Sequence, residues 1–184
     1  MDIKYALLGF ISWKPVTGYE LKKLITEAIG FEWSGNNNQI YTSLVQLHRE
    51  NLATIELQPQ EHYPTRKMYS ITEAGRQSLR EWILGNPEPP ISRKSFLVQL
   101  AWADQLGNGE LEDLLEKYQR ELELQIMMLK EKIRRGTVNP ARTHREKYLW
   151  DKISENYLQS YDSELKWVKE IRQEIDTTKT ERII

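Results

Sequence analysis

The sequence predicts a mainly α-helical chain in two parts: a winged helix-turn-helix head over residues 1–86 and a long-helix dimerisation domain over residues 87–176. Three observations predict it. Short amphipathic segments give way to two alternating segments between residues 53 and 71, a proline-rich boundary follows at Gly85-Asn-Pro-Glu-Pro-Pro90, and beyond it apolar residues recur only at helical spacing. Three prolines in four positions cannot continue a helix, because each lacks a backbone N–H and clashes with the preceding turn.

The first apolar segment, Tyr5-Ala-Leu-Leu-Gly-Phe-Ile11, ends before Pro15 and reads as a buried helix. Thr17-Gly-Tyr-Glu20 is a T-x-x-E capping box, in which the threonine oxygen and the glutamate each satisfy a free backbone N–H of the next helix. That helix carries Leu21, Leu24, Ile25 and Ala28 on one face and is expected to stop at Gly30. A polar stretch, Ser34-Gly-Asn-Asn-Asn38, opens a third helix from Gln39 to Asn51. Ile40, Leu44 and Leu47 make its inward stripe, with Val45 at the margin, while Gln39, Tyr41, Thr42 and Gln46 fall outside. Asn51 tolerates the left-handed backbone that terminates a helix.

From Ala53 the period becomes two. Ala53–Leu57 and Lys67–Ile71 alternate as half-buried strands, joined by an irregular tip containing Pro59, His62 and Pro64. Thr72 then caps a helix reaching about Leu84. Past the boundary, residues 93–105 predict a short helix before Gly107 and Gly109. Leu111, Leu115, Tyr118, Leu122, Ile126, Leu129 and Ile133 then recur about every 3.7 residues, close to a straight α-helix. A break at Gly136 to Pro140 precedes a last helix from about Thr143 to Ile175, with Trp150, Ile153, Tyr157, Tyr161, Leu165 and Val168 as its stripe. Residues 177–184 have no pattern and are expected to fray. Two such helices cannot cover that apolar length alone. Leu111, Leu115, Tyr118 and Leu122, with the stripe from Trp150 to Val168, are therefore expected to bury against a second subunit.

Composition narrows the function. With 29% charged and 39% hydrophobic residues the chain is an ordinary folded protein. Cysteine is absent, which excludes disulfides, thiol chemistry and Cys-based zinc sites and accords with a cytoplasmic location. No apolar run approaches the roughly 18–20 residues of a membrane span, and the start, MDIKYALLGFISWKP, is too short and polar for a signal peptide. His48, His62 and His144 match no metal spacing, and no phosphate loop, H-E-x-x-H, G-x-S-x-G or paired-carboxylate motif is present. The expectation is a protein that is not an enzyme and carries no cofactor or metal.

Net charge is −1, and residues 1–86 hold nine Lys/Arg against nine Asp/Glu, so a nucleic-acid footprint must come from local clustering. Residues 36–46 supply such a surface. Asn36, Asn37, Asn38, Gln39, Tyr41, Thr42, Ser43 and Gln46 offer donors and acceptors, and no acid falls between Glu32 and Glu50. Presented on a helix in the major groove, these side chains suit base edges, and an acid-free window suits phosphates. Arg66 and Lys67 on the hairpin and Lys22 and Lys23 on the second helix are candidates for flanking phosphates of double-stranded DNA. Plainer roles compete: Tyr41 as packing on the hairpin, and Arg66 and Lys67 as a charged strand edge that deters aggregation. The alternative for the whole chain is a winged-helix protein-interaction module without DNA binding.

Six tryptophans raise a further question. Trp13, Trp33 and Trp82 are expected in the core of the head. Trp102, Trp150 and Trp167 are expected in dimer packing, with a second reading as flat platforms for a small aromatic effector.

Several stretches together resemble the PadR-type transcriptional regulators: Tyr5-Ala-Leu-Leu-Gly9, Thr17-Gly-Tyr-Glu-Leu21, Gln39-Ile-Tyr41 with Leu44 and Leu47, and Arg66-Lys-Met-Tyr-Ser-Ile-Thr-Glu-Ala-Gly75. They cover most of residues 1–84 in order, and the layout of the tail resembles the subgroup with a large C-terminal dimerisation domain. The resemblance implies a winged-helix homodimer on an inverted-repeat operator, usually a repressor and often released by a small molecule. It places Tyr41 in the recognition helix and Arg66 and Lys67 in the wing. One departure is Asn51-Leu52, where that family often has Gly-Leu; asparagine accepts the same backbone shape.

Overall fold

A computed structural model describes residues 3–28, 37–59, 65–89, 94–136 and 141–181. The chain divides into two compact units: Met1–Glu88 with Val138–Lys147, and Pro89–Thr137 with Tyr148–Ile184.

The first unit contains α1 (Ile3–Trp13), β1 (Val16–Thr17), α2 (Gly18–Glu27), α3 (Asn37–Arg49), β2 (Ala53–Gln58), β3 (Arg66–Ile71) and α4 (Glu73–Leu84). The capping box forms as its residues dictate. Thr17 Oγ1 accepts from the Glu20 N–H at 3.1 Å, and the Glu20 carboxylate accepts from the Thr17 N–H at 2.8 Å. Leu7, Leu8, Ile11, Val16, Leu21, Ile25, Leu44 and Leu47 are fully buried in one cluster. Each such side chain contributes about 1.5–3 kcal/mol relative to exposure, so this core carries the unit.

Three short strands form one antiparallel sheet in the order β1-β3-β2, with Val16 opposite Tyr69 and Ala53 opposite Ile71. Sequence period reveals β2 and β3 but not β1, which is two residues long and exists only through its pairing with β3. The hairpin is anchored to α3 and α4 at one junction. Asn51 has φ +56° and turns the chain out of α3, as its residue type predicts. The Thr72 hydroxyl donates to the Asn51 carbonyl at 2.7 Å and accepts from the Gly75 N–H at 2.9 Å. Gly75 is required there, because a Cβ would stand 2.2 Å from the Leu52 carbonyl oxygen.

Two expectations for this unit need correction. Val45 does not join the inward stripe: it is 44% exposed, because Leu44 and Leu47 already fill the space against α1 and α2. Trp82 is not core either, at 51% exposure, although one face of its indole stacks on Tyr5 with centroids 4.7 Å apart. Trp13 packs half-buried on the core, while Gly30, Trp33 and the hairpin tip from 60 to 64 lie outside the described residues.

The second unit contains α5 (Ser95–Ala101), a 3-10 turn (Ala103–Gln105), α6 (Asn108–Arg134) and α7 (His144–Glu181), whose residues through Lys147 belong to the first unit. The Gly107 N–H donates to Glu110 at α6, and Thr143 Oγ1 accepts from the Glu146 N–H at α7. Phe96, Leu115, Leu122 and Val168 are buried together, with Leu111, Tyr118, Tyr161, Leu165 and Trp167 packed around them. The Phe96 ring stacks on Tyr118 at 3.6 Å between centroids and meets Trp167 edge-on at 6.3 Å. Polar bonds fix the register of α6 against α7: Tyr118 donates to Glu164 at 2.9 Å, and Arg172 donates to Glu112 and Gln119. Burial and the Glu164 carboxylate push the Tyr118 phenol well above its usual range.

Here too the structure departs from the expectation. Leu115 and Val168 are 0% exposed within a single chain and Leu122 is buried with them, so these three are covered inside the chain rather than by a partner, while Leu111, Tyr118, Tyr161 and Leu165 pack half-buried around them. Ser154, between Ile153 and Tyr157, is buried with its hydroxyl on the Trp150 carbonyl, while Ile153 itself is exposed and Trp150 and Tyr157 are half-buried. α7 also continues through Glu181, past the expected end at Ile175 and into the stretch expected to fray, since an established helix gains one backbone bond per added residue. Residues 182–184 lie outside the described residues.

Candidate nucleic-acid interface

α3 presents a continuous outward face. Asn38, Gln39, Tyr41, Thr42, Val45, Gln46 and Arg49 are all exposed, while Ile40, Leu44 and Leu47 hold the opposite face in the core. Six of the outward residues step by three and four along one side, as a helix lying in a groove requires. Ser43 is half-buried at the edge of this face; Asn36 and the side chain of Asn37 lie outside the described residues.

A cleft of about 720 Å³ runs beside this helix, lined by the start of α2, by Tyr41 and Val45, and by Arg66, Lys67 and Tyr69 of β3. It brings Tyr41 of α3 together with Arg66 and Lys67 of β3. Gly18 shapes it, because a Cβ there would stand 2.6 Å from the Tyr41 ring. The ring therefore packs on the first turn of α2 through a side chain that is absent. Tyr41 keeps 45% of its surface exposed, so packing and contact with a ligand are both open to it. Burial, and then the Tyr41 phenol, raise the pKa of Tyr69 behind it.

Charge around the cleft is arranged by hydrogen bonding. Glu20, the carboxylate at its wall, accepts from the Thr17 N–H, and also from the Thr17 hydroxyl at 2.9 Å. The backbone bond first, then the hydroxyl, Lys14 and Arg66, outweigh partial burial and hold its pKa below the usual value. Glu50, beyond the end of α3, is engaged by Lys4 at 2.6 Å and by the Gln46 amide at 2.8 Å, which lower its pKa likewise. Glu20 and Glu50 are thus internally satisfied, while Arg49, Arg66 and Lys67 form no ion pair among the described residues.

Not every expected residue gathers here. Lys22 is half-buried and Lys23 lies 3.8 Å from Glu27, and neither lines the cleft. Conversely, Arg49, Val45, Tyr19 and Gly18 belong to this region without having been singled out for it. Arg49 was legible, since it follows Thr42, Val45 and Gln46 at helical spacing. Among the described residues no group of His, Asp or Glu is placed to hold a metal ion, and no helix is long and apolar enough to cross a membrane.

Residues 7–81 match the transcriptional regulator PadR-like family. Residues 7–81 are thus a PadR-like domain. PadR-like proteins are transcriptional regulators rather than enzymes. The negative transcriptional regulator PadR of Bacillus subtilis is 30% identical over 115 residues, which are 62% of this chain and 63% of that regulator's length. The likeness in fold extends further. The structure of Bacillus subtilis PadR in complex with operator DNA superposes with a TM-score of 0.81 at 23% identity, covering 94% of this chain and 98% of that one. The same protein in complex with p-coumaric acid gives 0.78 at 23% identity, covering 95% and 98%. The shared PadR-like fold therefore includes the long-helix tail as well as the winged head.

Proposed function

We propose that this PadR-like chain is a homodimeric, sequence-specific regulator that binds double-stranded DNA at an inverted-repeat operator in the cytoplasm and represses transcription there. The observation that carries the reading is the outward face of α3, free of acids and flanked by Arg49, Arg66 and Lys67. Asn38, Gln39, Thr42 and Gln46 would address base edges, and the three cations would address phosphates. Lys22 and Lys23 drop out of the interface on this reading. That Bacillus subtilis PadR has been solved with operator DNA supports it by likeness of fold.

The dimer rests on what the tail leaves uncovered. Leu97 and Val98 on α5, and Leu124, Met127 and Met128 on α6, are exposed although large and apolar. Surfaces of this kind mark association sites. A twofold axis through them would set two recognition helices about 34 Å apart, one turn of B-DNA.

A small aromatic effector completes the proposal, supported by the p-coumaric acid complex of Bacillus subtilis PadR. Of the three tail tryptophans proposed for it, Trp102 is 68% exposed and has the most free ring surface, whereas Trp150 is half-buried and Trp167 packs on Phe96.

The deciding experiment is selection of random genomic fragments by the purified protein at two salt concentrations, followed by sequencing. Enrichment of a short inverted repeat that weakens with salt is expected; no enrichment at low salt would favour the protein-interaction module. Adding p-coumaric acid to the complex tests the effector. Quenched tryptophan emission with loss of DNA is expected, and no change in either would leave a regulator without that effector.

A further inference from the structure

Resting on the DNA-binding reading above, we propose that Val45 reads the 5-methyl group of a thymine in the major groove. Val45 is the one aliphatic side chain among the outward residues of α3 described above, 44% exposed between Thr42, Gln46 and Arg49. The core does not need it, because Leu44 and Leu47 beside it are already fully buried in the head cluster. Nor does the helix favour it: a β-branched residue loses side-chain freedom in a helix, and an outward position gives no burial in return.

Its surroundings give it an apolar patch of its own. The Tyr41 ring precedes it by one turn, and the missing Cβ of Gly18 lets that ring lie against α2. Tyr41 and Val45 thus line the same cleft as Arg66 and Lys67. The cations suit the sugar-phosphate rim, and Thr42 and Gln46 suit polar base edges. An aliphatic group in that row has a single apolar counterpart in the major groove. Guanine, adenine and cytosine present ring nitrogens, carbonyls and amines there; only thymine presents a methyl. The minor groove offers no equivalent group, so the assignment also fixes the groove.

The probe is the duplex enriched in the selection above, resynthesised with each thymine replaced singly by deoxyuridine. This removes the methyl and leaves base pairing unchanged. Wild-type protein is expected to lose about fourfold in affinity at one thymine per half-site, the effect of burying one methyl-sized group. In Val45→Ala the same replacement is expected to change affinity by less than about twofold on the same burial scale. Its salt dependence should match wild type, because no charge is removed. Val45→Asn, similar in size but without a methyl, should abolish the same preference and serves if the alanine form does not fold. Absence of any deoxyuridine-sensitive thymine, or sensitivity of equal size with alanine at position 45, overturns the assignment while leaving DNA binding intact. Failure to enrich any duplex overturns the DNA-binding reading and this assignment with it.

Discussion

The two units of the chain solve the burial of apolar surface in opposite ways. The head packs short elements from several directions onto one cluster, so that α1, α2, α3 and the sheet each cover the others and Leu7, Leu21, Leu44 and Val16 become inaccessible to water. The tail relies on two long helices, and a pair of cylinders touches along one line. Its cluster of Phe96, Leu115, Leu122 and Val168 is narrow, and Val98, Trp102, Met127 and Met128 remain exposed. A unit can therefore be well ordered along its length and still incomplete in cross-section. The outward face of α3 in the head is mostly polar and free of acids, whereas α5 and α6 of the tail leave Leu97, Val98, Leu124, Met127 and Met128 exposed.

The strongest way to break this comparison is to attack the head core. Leu44→Ala is expected to lower the stability of the head by about 2–5 kcal/mol, measured by chemical denaturation, because close packing leaves the cavity unfilled. A loss below about 1 kcal/mol would contradict a close-packed core. Gly75→Ala should cost about 1–3 kcal/mol in the same assay, since its Cβ must displace the backbone at Leu52. Insensitivity there would mean that the junction of hairpin and α4 is loose.

The tail should behave differently. Val98→Glu combined with Met127→Glu is expected to leave helix content unchanged while weakening self-association at least about tenfold in sedimentation, the response of an apolar interface to desolvated charge. Unchanged association would remove those residues from the interface. The wing sharpens the contrast from the head side. Arg66→Ala with Lys67→Ala should shift stability by less than about 0.5 kcal/mol yet lower the salt slope of DNA binding by about two. A full slope in the double variant would take the wing off the phosphates.

The smallest effect concerns the capping box. Hydrogen bonding depresses the folded-state pKa of Glu20 below 4.5, so its contribution is present at neutral pH and is lost as pH falls below 4.5 and through the depressed folded value. Glu20→Gln should therefore flatten the acid limb of head stability in that window and leave stability lower by a constant amount above it. An acid limb identical to wild type would show that the box titrates no differently in the unfolded chain.

Much of this was legible because it is local. Helical spacing identified Leu21, Leu24 and Ile25 and then Ile40, Leu44 and Leu47 as core, Thr17 and Glu20 announced their cap, and Asn51 announced its left-handed turn. The outward positions of Gln39, Tyr41, Thr42 and Gln46 followed from the same wheel. β1 was not legible, because two residues after a proline carry no period and become a strand only when Tyr69 arrives beside Val16. The reason for glycine at position 18 was not legible either. Its importance lies in the Tyr41 ring, which only the folded chain brings to it.

The sequence by itself determined where most helices lie and which of their faces are apolar, because periodicity and backbone chemistry act over a few neighbouring residues. Tertiary structure alone decided what each apolar face packs against. Val45 adjoins a buried stripe yet lies outside it, and Leu115 and Val168 meet each other rather than a second subunit. A period states that a face seeks cover; the identity of the cover depends on contacts between residues far apart in the chain, and no local rule contains them.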